Sequence, residues 1–157
     1  MKYRQLTKEQ FESLHEEFSR FLAAQQIDVN EWNKIKEEKP EVAEDEMNIF
    51  SDLVWEKVLK ETKYLEHHSK HSINLFKCEE LQMHRILIKV SDTIDLTSKE
   101  GFNWLLENSN DASIEYFKAT KKYHKERNEE IFFMVEQGCT ITKGTYFDKF
   151  SSLISDK

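Results

Sequence analysis

YLEHHSKHSINLFKCEELQMHRILIKV, residues 64–90, decides the fold. In its last third His84, Ile86, Ile88 and Val90 alternate with Met83, Arg85, Leu87 and Lys89. Alternation with period two puts successive side chains on opposite faces of a half-buried strand. The stretches 64–68 and 73–78 are also short, and polar gaps at 69–72 and 79–82 separate the three. Gaps of that length suit hairpins. The stretch therefore predicts a three-stranded antiparallel meander over about residues 63–90. Turns about residues 70–71 and 80–81 set His68 opposite Ile73, His67 opposite Asn74, His84 opposite Lys77 and Cys78 opposite Met83.

Helical spacing takes over on both sides of the meander. Thr7 with Gln10 forms a capping box, and Phe11, Leu14, Phe18, Phe21 and Leu22 follow at helical intervals, predicting a helix over 8–25. Asp28 with Glu31 repeats the start signal before Trp32 and Ile35. Pro40 ends that helix and opens a long one over 40–61, carrying Ala43, Met47, Phe50, Val54 and Val58 on one face. Beyond the meander, Thr97 with Glu100 starts a helix around Phe102, Trp104 and Leu105. A helix over 112–137 stopping at Gly138 follows, then a last one capped by Thr142. The expected architecture is a single α+β domain over 1–157, with about six helices packed on one side of the small meander.

Composition narrows the function classes. Acids outnumber bases 30 to 23, for a formal charge of −7, which argues against nucleic acid as a partner. Three Gly and one Pro leave no phosphate loop and no G-x-S-x-G elbow. No run approaches the roughly 18 apolar residues of a membrane span. The start MKYRQLTKEQFESL holds no apolar signal core, and two distant cysteines make no disulfide framework. A cytoplasmic location with reduced thiols is expected.

The segments MKYRQLTKEQFESLHEEF, NIFSDLVWEKVL, YLEHHSK and DLTSKEGFNWLL together resemble a family of uncharacterised proteins from Bacteroidetes, mainly flavobacteria. The resemblance runs from Met1 to about Phe150. It implies a bacterial cytoplasmic protein and carries over no catalytic residue. The turn HHSKH is richer in histidine than the family pattern, which argues against a ligand role for His68 and His71.

Several groups carry candidate chemistry. His67, His68, His71, Cys78 and His84 are zinc-ligand types. In the meander His68 and His84 share a face but lie four residues apart, roughly 13 Å at 3.3 Å per residue, too far for one metal ion. Glu66, His68 and His71 remain as the metal-binding alternative. Glu12 and His15 make an E-x-x-H spacing without the second copy that a di-iron bundle needs. The acidic run 37–46 straddles a helix start, where negative charge is stabilising. Lys118, Lys121, Lys122 and Lys125 form a basic stripe on one face of the predicted 112–137 helix, read chiefly as a solvated face. Cys139 reads as a small buried thiol.

These readings leave a non-enzymatic cytoplasmic protein-interaction module as the expected function, with no cofactor. The outer face of the meander carries Leu65, Phe76, Met83 and Leu87, which helices on one side leave open. A protein partner or a second copy is expected there, and no membrane. The alternative is a small metal-dependent enzyme or metal-binding protein using the His-rich turn.

Overall fold

A computed structural model describes residues 1–155. The chain forms two compact units, Met1–Lys60 and a second that begins at Glu61.

The first unit is helical: α1 (Lys8–Ser13), α2 (His15–Ala23), α3 (Val29–Glu38) and α4 (Pro40–Glu61). The Thr7–Gln10 capping box forms in both directions, and Asp28 accepts the Glu31 N–H at 2.8 Å. The expected helix over 8–25 is broken at Leu14, which leaves helical geometry at φ −109° and ψ 22°. Beside the break the Ser13 hydroxyl donates to the Gln10 carbonyl at 3.0 Å and the His15 ring meets the Glu12 carbonyl at 3.1 Å. Short polar side chains that bond nearby carbonyls compete with the helix ladder. The unit's core is aromatic. Phe18 packs on Phe50 and Trp32 with centroids 5.0 and 5.3 Å apart, and Phe11 and Phe21 complete the cluster. The amide groups of Lys2 and Tyr3 tie the N-terminus to the Asp52 carboxylate at 2.7 and 2.9 Å.

The second unit holds the sheet. The meander forms as β1 (Tyr64–His68), β2 (Ser72–Cys78) and β3 (Gln82–Lys89), with all four expected cross-strand pairs in register. The expectation of three strands and six helices is overturned. Among the described residues there are five antiparallel strands, ordered β4-β3-β2-β1-β5, and seven helices. The predicted 112–137 helix is in fact β4 (Glu115–Lys122) followed by α6 (Arg127–Glu136). Residues 114–120 alternate Ile, Tyr, Lys and Thr with Glu, Phe and Ala, and β-branched and aromatic residues favour the pleat. The three-residue β5 (Thr140–Thr142) pairs with β1 where a helix cap was expected. The closing helix α7 (Thr145–Ser155) starts beyond it, and Gly138, at φ 105°, does stop α6.

Helices cover both faces of the sheet, which corrects the one-sided packing. Ile73, Leu75, Ile86 and Ile88 form a core with Leu105 of α5 (Lys99–Glu107) and with Phe147 and Phe150 of α7. The opposite face meets α6.

Candidate functional site

Strand register builds the floor of a groove on the α6 side. Phe76, Arg85 and Ala119 lie in one cross-strand row over β2, β3 and β4. Cys78, Met83 and Lys121 make the next row towards one end, and Asn74, Leu87 and Phe117 the next towards the other. Adjacent rows on one face stand roughly 6.8 Å apart, twice the rise per residue. The wall comes from α6, where Glu130, Phe133 and Met134 share a face through i, i+3 and i+4 spacing. The result is a cavity of about 600 Å³, lined by apolar side chains from Phe76, Met83, Ala119, Phe133 and Met134.

The loop between β4 and α6 closes one end. Arg127 donates through Nε to the Glu79 carbonyl at 3.1 Å, and through Nη2 to those of Cys78 (3.2 Å) and Thr62. Tyr123 donates its hydroxyl to the same Glu79 carbonyl at 2.7 Å. Burial, the largest influence, pushes that phenol up to about 12. These bonds pin the start of α6 to the β2–β3 turn.

Charged side chains stand among the apolar ones, Arg85 in the floor row and Lys121, Lys125 and Glu130 around it. The Lys121 ammonium is 2.5 Å from the Glu130 carboxylate, whose other oxygen accepts the His124 N–H at 3.0 Å. Burial works to raise the Glu130 carboxyl, but Lys121 and the backbone donors outweigh it and hold it below the usual range. Arg85 donates through Nε to the Asn74 side chain at 2.8 Å. Two aromatic rings stay exposed, Phe117 at 46% and Phe133 at 57%. Each has a lysine above it, Lys89 over Phe117 at 5.6 Å and Lys125 over Phe133 at 5.9 Å.

Of the four residues expected on an open sheet face, Phe76 and Met83 line the groove, Met83 buried and Phe76 half-buried. Leu87 is half-buried in the adjoining row, and Leu65 is fully buried on the same face. The basic stripe is not a helix face. Lys118 and Lys122 point to one side of β4 and Lys121 to the other, because strand side chains alternate, while Lys125 lies in the following loop. Among the metal candidates, His68 Nε2 lies 2.9 Å from Glu66 Oε1, but the His71 ring bonds the Ile94 carbonyl at 2.9 Å. Among the described residues no His, Cys, Asp and Glu side chains gather in the threes or more that hold a metal ion. His84 bridges Thr120 and Glu79 at 2.8 and 3.1 Å. Cys78 and Cys139 are free thiols, and burial pushes Cys78 up to about 12. Arg85, Ala119, Glu130, Phe133 and Met134 carry no motif in the sequence, and their convergence depends on β4 being a strand.

These features define an α+β chain with an antiparallel sheet flanked by helices on both faces and a groove along one of them. The chain belongs to the Family of unknown function (DUF6495), whose model matches residues 1–155. No curated protein and no solved structure matches it significantly. No helix among the described residues is long and apolar enough to cross a membrane.

Proposed function

We propose that this is a non-enzymatic binding module of the bacterial cytoplasm whose working surface is the groove between β2, β3, β4 and α6. The observation that carries the reading is a cavity of about 600 Å³ bordered by an exposed phenylalanine. That volume lies within the roughly 300–1,000 Å³ common for small-molecule sites, and exposed aromatic rings beside an apolar cleft are a usual mark of recognition. Phe76 and Met83 link the groove to the partner surface expected from the sequence. The polar groups around it favour holding over chemistry. Glu130 is kept ionised by Lys121, which makes it a weak proton acceptor. The bacterial and cytoplasmic parts of the reading draw support from the flavobacterial resemblance and from the two free thiols. A metal enzyme built on Glu66, His68 and His71 has less behind it, since His71 is turned to a backbone carbonyl.

The neutral apolar dye Nile red tests the groove. Its fluorescence should rise on addition of the native protein, and Phe133→Glu should remove most of that rise while circular dichroism is unchanged. A dye signal that is absent, or indifferent to Phe133→Glu, overturns the reading.

A further inference from the structure

We propose that the groove takes a long-chain carboxylate, with its alkyl chain along Phe76, Met83, Phe133 and Met134 and its head group on Arg85. The inference rests on the binding reading above and specifies the ligand's class. Two observations lead to it. The lining is apolar across three strands and a helix, so the body of the ligand is hydrocarbon. The cationic groups lining the groove outnumber the acidic ones. Arg85, Lys121 and Lys125 face it against Glu130 alone, and Lys121 is already paired with Glu130 at 2.5 Å. Arg85 and Lys125 therefore set the sign of the head group as negative, and an amine or a second cation would be repelled.

Arg85 stands at the centre of the floor, between Phe76 and Ala119 in one row. Its Nε is fixed on Asn74 at 2.8 Å, so the guanidinium plane is held before anything arrives. The two Nη groups are the donors that a carboxylate accepts in parallel, and one planar fork matches one carboxylate. Lys125 holds its ammonium 5.9 Å from the Phe133 ring centroid, a second positive charge beside the apolar lining. A head group and a chain are thereby recognised by different parts of the same groove.

Calorimetric titration with dodecanoate, below its micelle concentration, tests this, with dodecan-1-ol as the uncharged counterpart. The expected result is one dodecanoate per chain, bound at least tenfold more tightly than the alcohol. Arg85→Gln should weaken the acid about tenfold or more, the scale of a lost charge-assisted pair, and leave the alcohol unchanged. Arg85→Lys, which keeps the charge without the fork, should fall between. Lys122→Gln removes the same charge from the opposite side of β4 and should leave affinity within twofold. Equal binding of acid and alcohol, or an acid affinity indifferent to Arg85→Gln, overturns the carboxylate assignment and leaves the groove reading standing. So does dodecanoate failing to bind a protein that still takes up Nile red through Phe133. Loss of both probes overturns both.

Discussion

Glu130 has about a tenth of its side chain exposed, and burial alone would favour its neutral form. Lys121 at 2.5 Å and the His124 N–H at 3.0 Å reverse that preference. The folded chain thus holds this carboxyl below its ordinary value of about 4.3. A lowered acid contributes stability that is complete above the unfolded-state value and disappears as pH falls through the folded-state one. Glu130→Gln should lose about 1–3 kcal/mol in urea unfolding at neutral pH, the range for a charged hydrogen-bonding group. The gap between variant and parent should narrow as pH falls below the ordinary carboxylate range, through the lowered folded-state value. A gap that persists undiminished in acid would remove the ion pair as its source. Arg127 acts through geometry instead, with its guanidinium spread over the carbonyls of Thr62, Cys78 and Glu79.

The elements differ in how openly they were written into the chain. β3 alternates with a readable period of two, β1 and β2 are short stretches beside it, and the short polar gaps between the three place the turns that fix the register. β4 is an outer strand whose residues are almost all exposed, and a strand that buries little leaves no apolar alternation to find. Its lysines at 118, 121 and 122, together with Lys125 in the loop beyond it, fall three and four apart, which mimics a helical face. In a continuous helix over 112–137, Ala119 and Phe133 belong to one rod, and nothing brings them together across a groove. β5 is too short to signal itself. At α5 the cap moved from Thr97 to Ser98, whose hydroxyl accepts the Gly101 N–H at 3.0 Å. The Asp95 carboxylate engages Thr97 first, taking both its N–H and its hydroxyl, at 2.9 and 2.5 Å. The same turn sets a steric demand, since a Cβ on residue 101 would stand 1.8 Å from the Asp95 carbonyl oxygen. Gly101→Ala should therefore cost about 1–3 kcal/mol, as overpacking does, despite alanine's better helix propensity. A thermal melt matching the parent's would contradict that reading of the turn.

Across the whole molecule, stability in the second unit should fall from the middle of the sheet outwards. Ile73, Leu75, Ile86 and Ile88 of β2 and β3 are no more than 1% exposed, whereas β4 is covered along little of its length. Local opening is cheapest where few apolar contacts must be broken. Amide hydrogen exchange should be slowest in β2 and β3, and faster in the outward-facing amides of β4, roughly a hundredfold or more. Uniform protection across β2, β3 and β4 would show that the sheet opens only as one body. The ammonium groups of β4 have their own effect at this scale. An intruding backbone seeking to zip onto that margin would desolvate Lys118 and Lys122 together, and a copy of the same strand would add its own positive charge. Growth of the pleated layer is thereby self-limiting on its longer border, which guards crowded molecules against fibrous stacking.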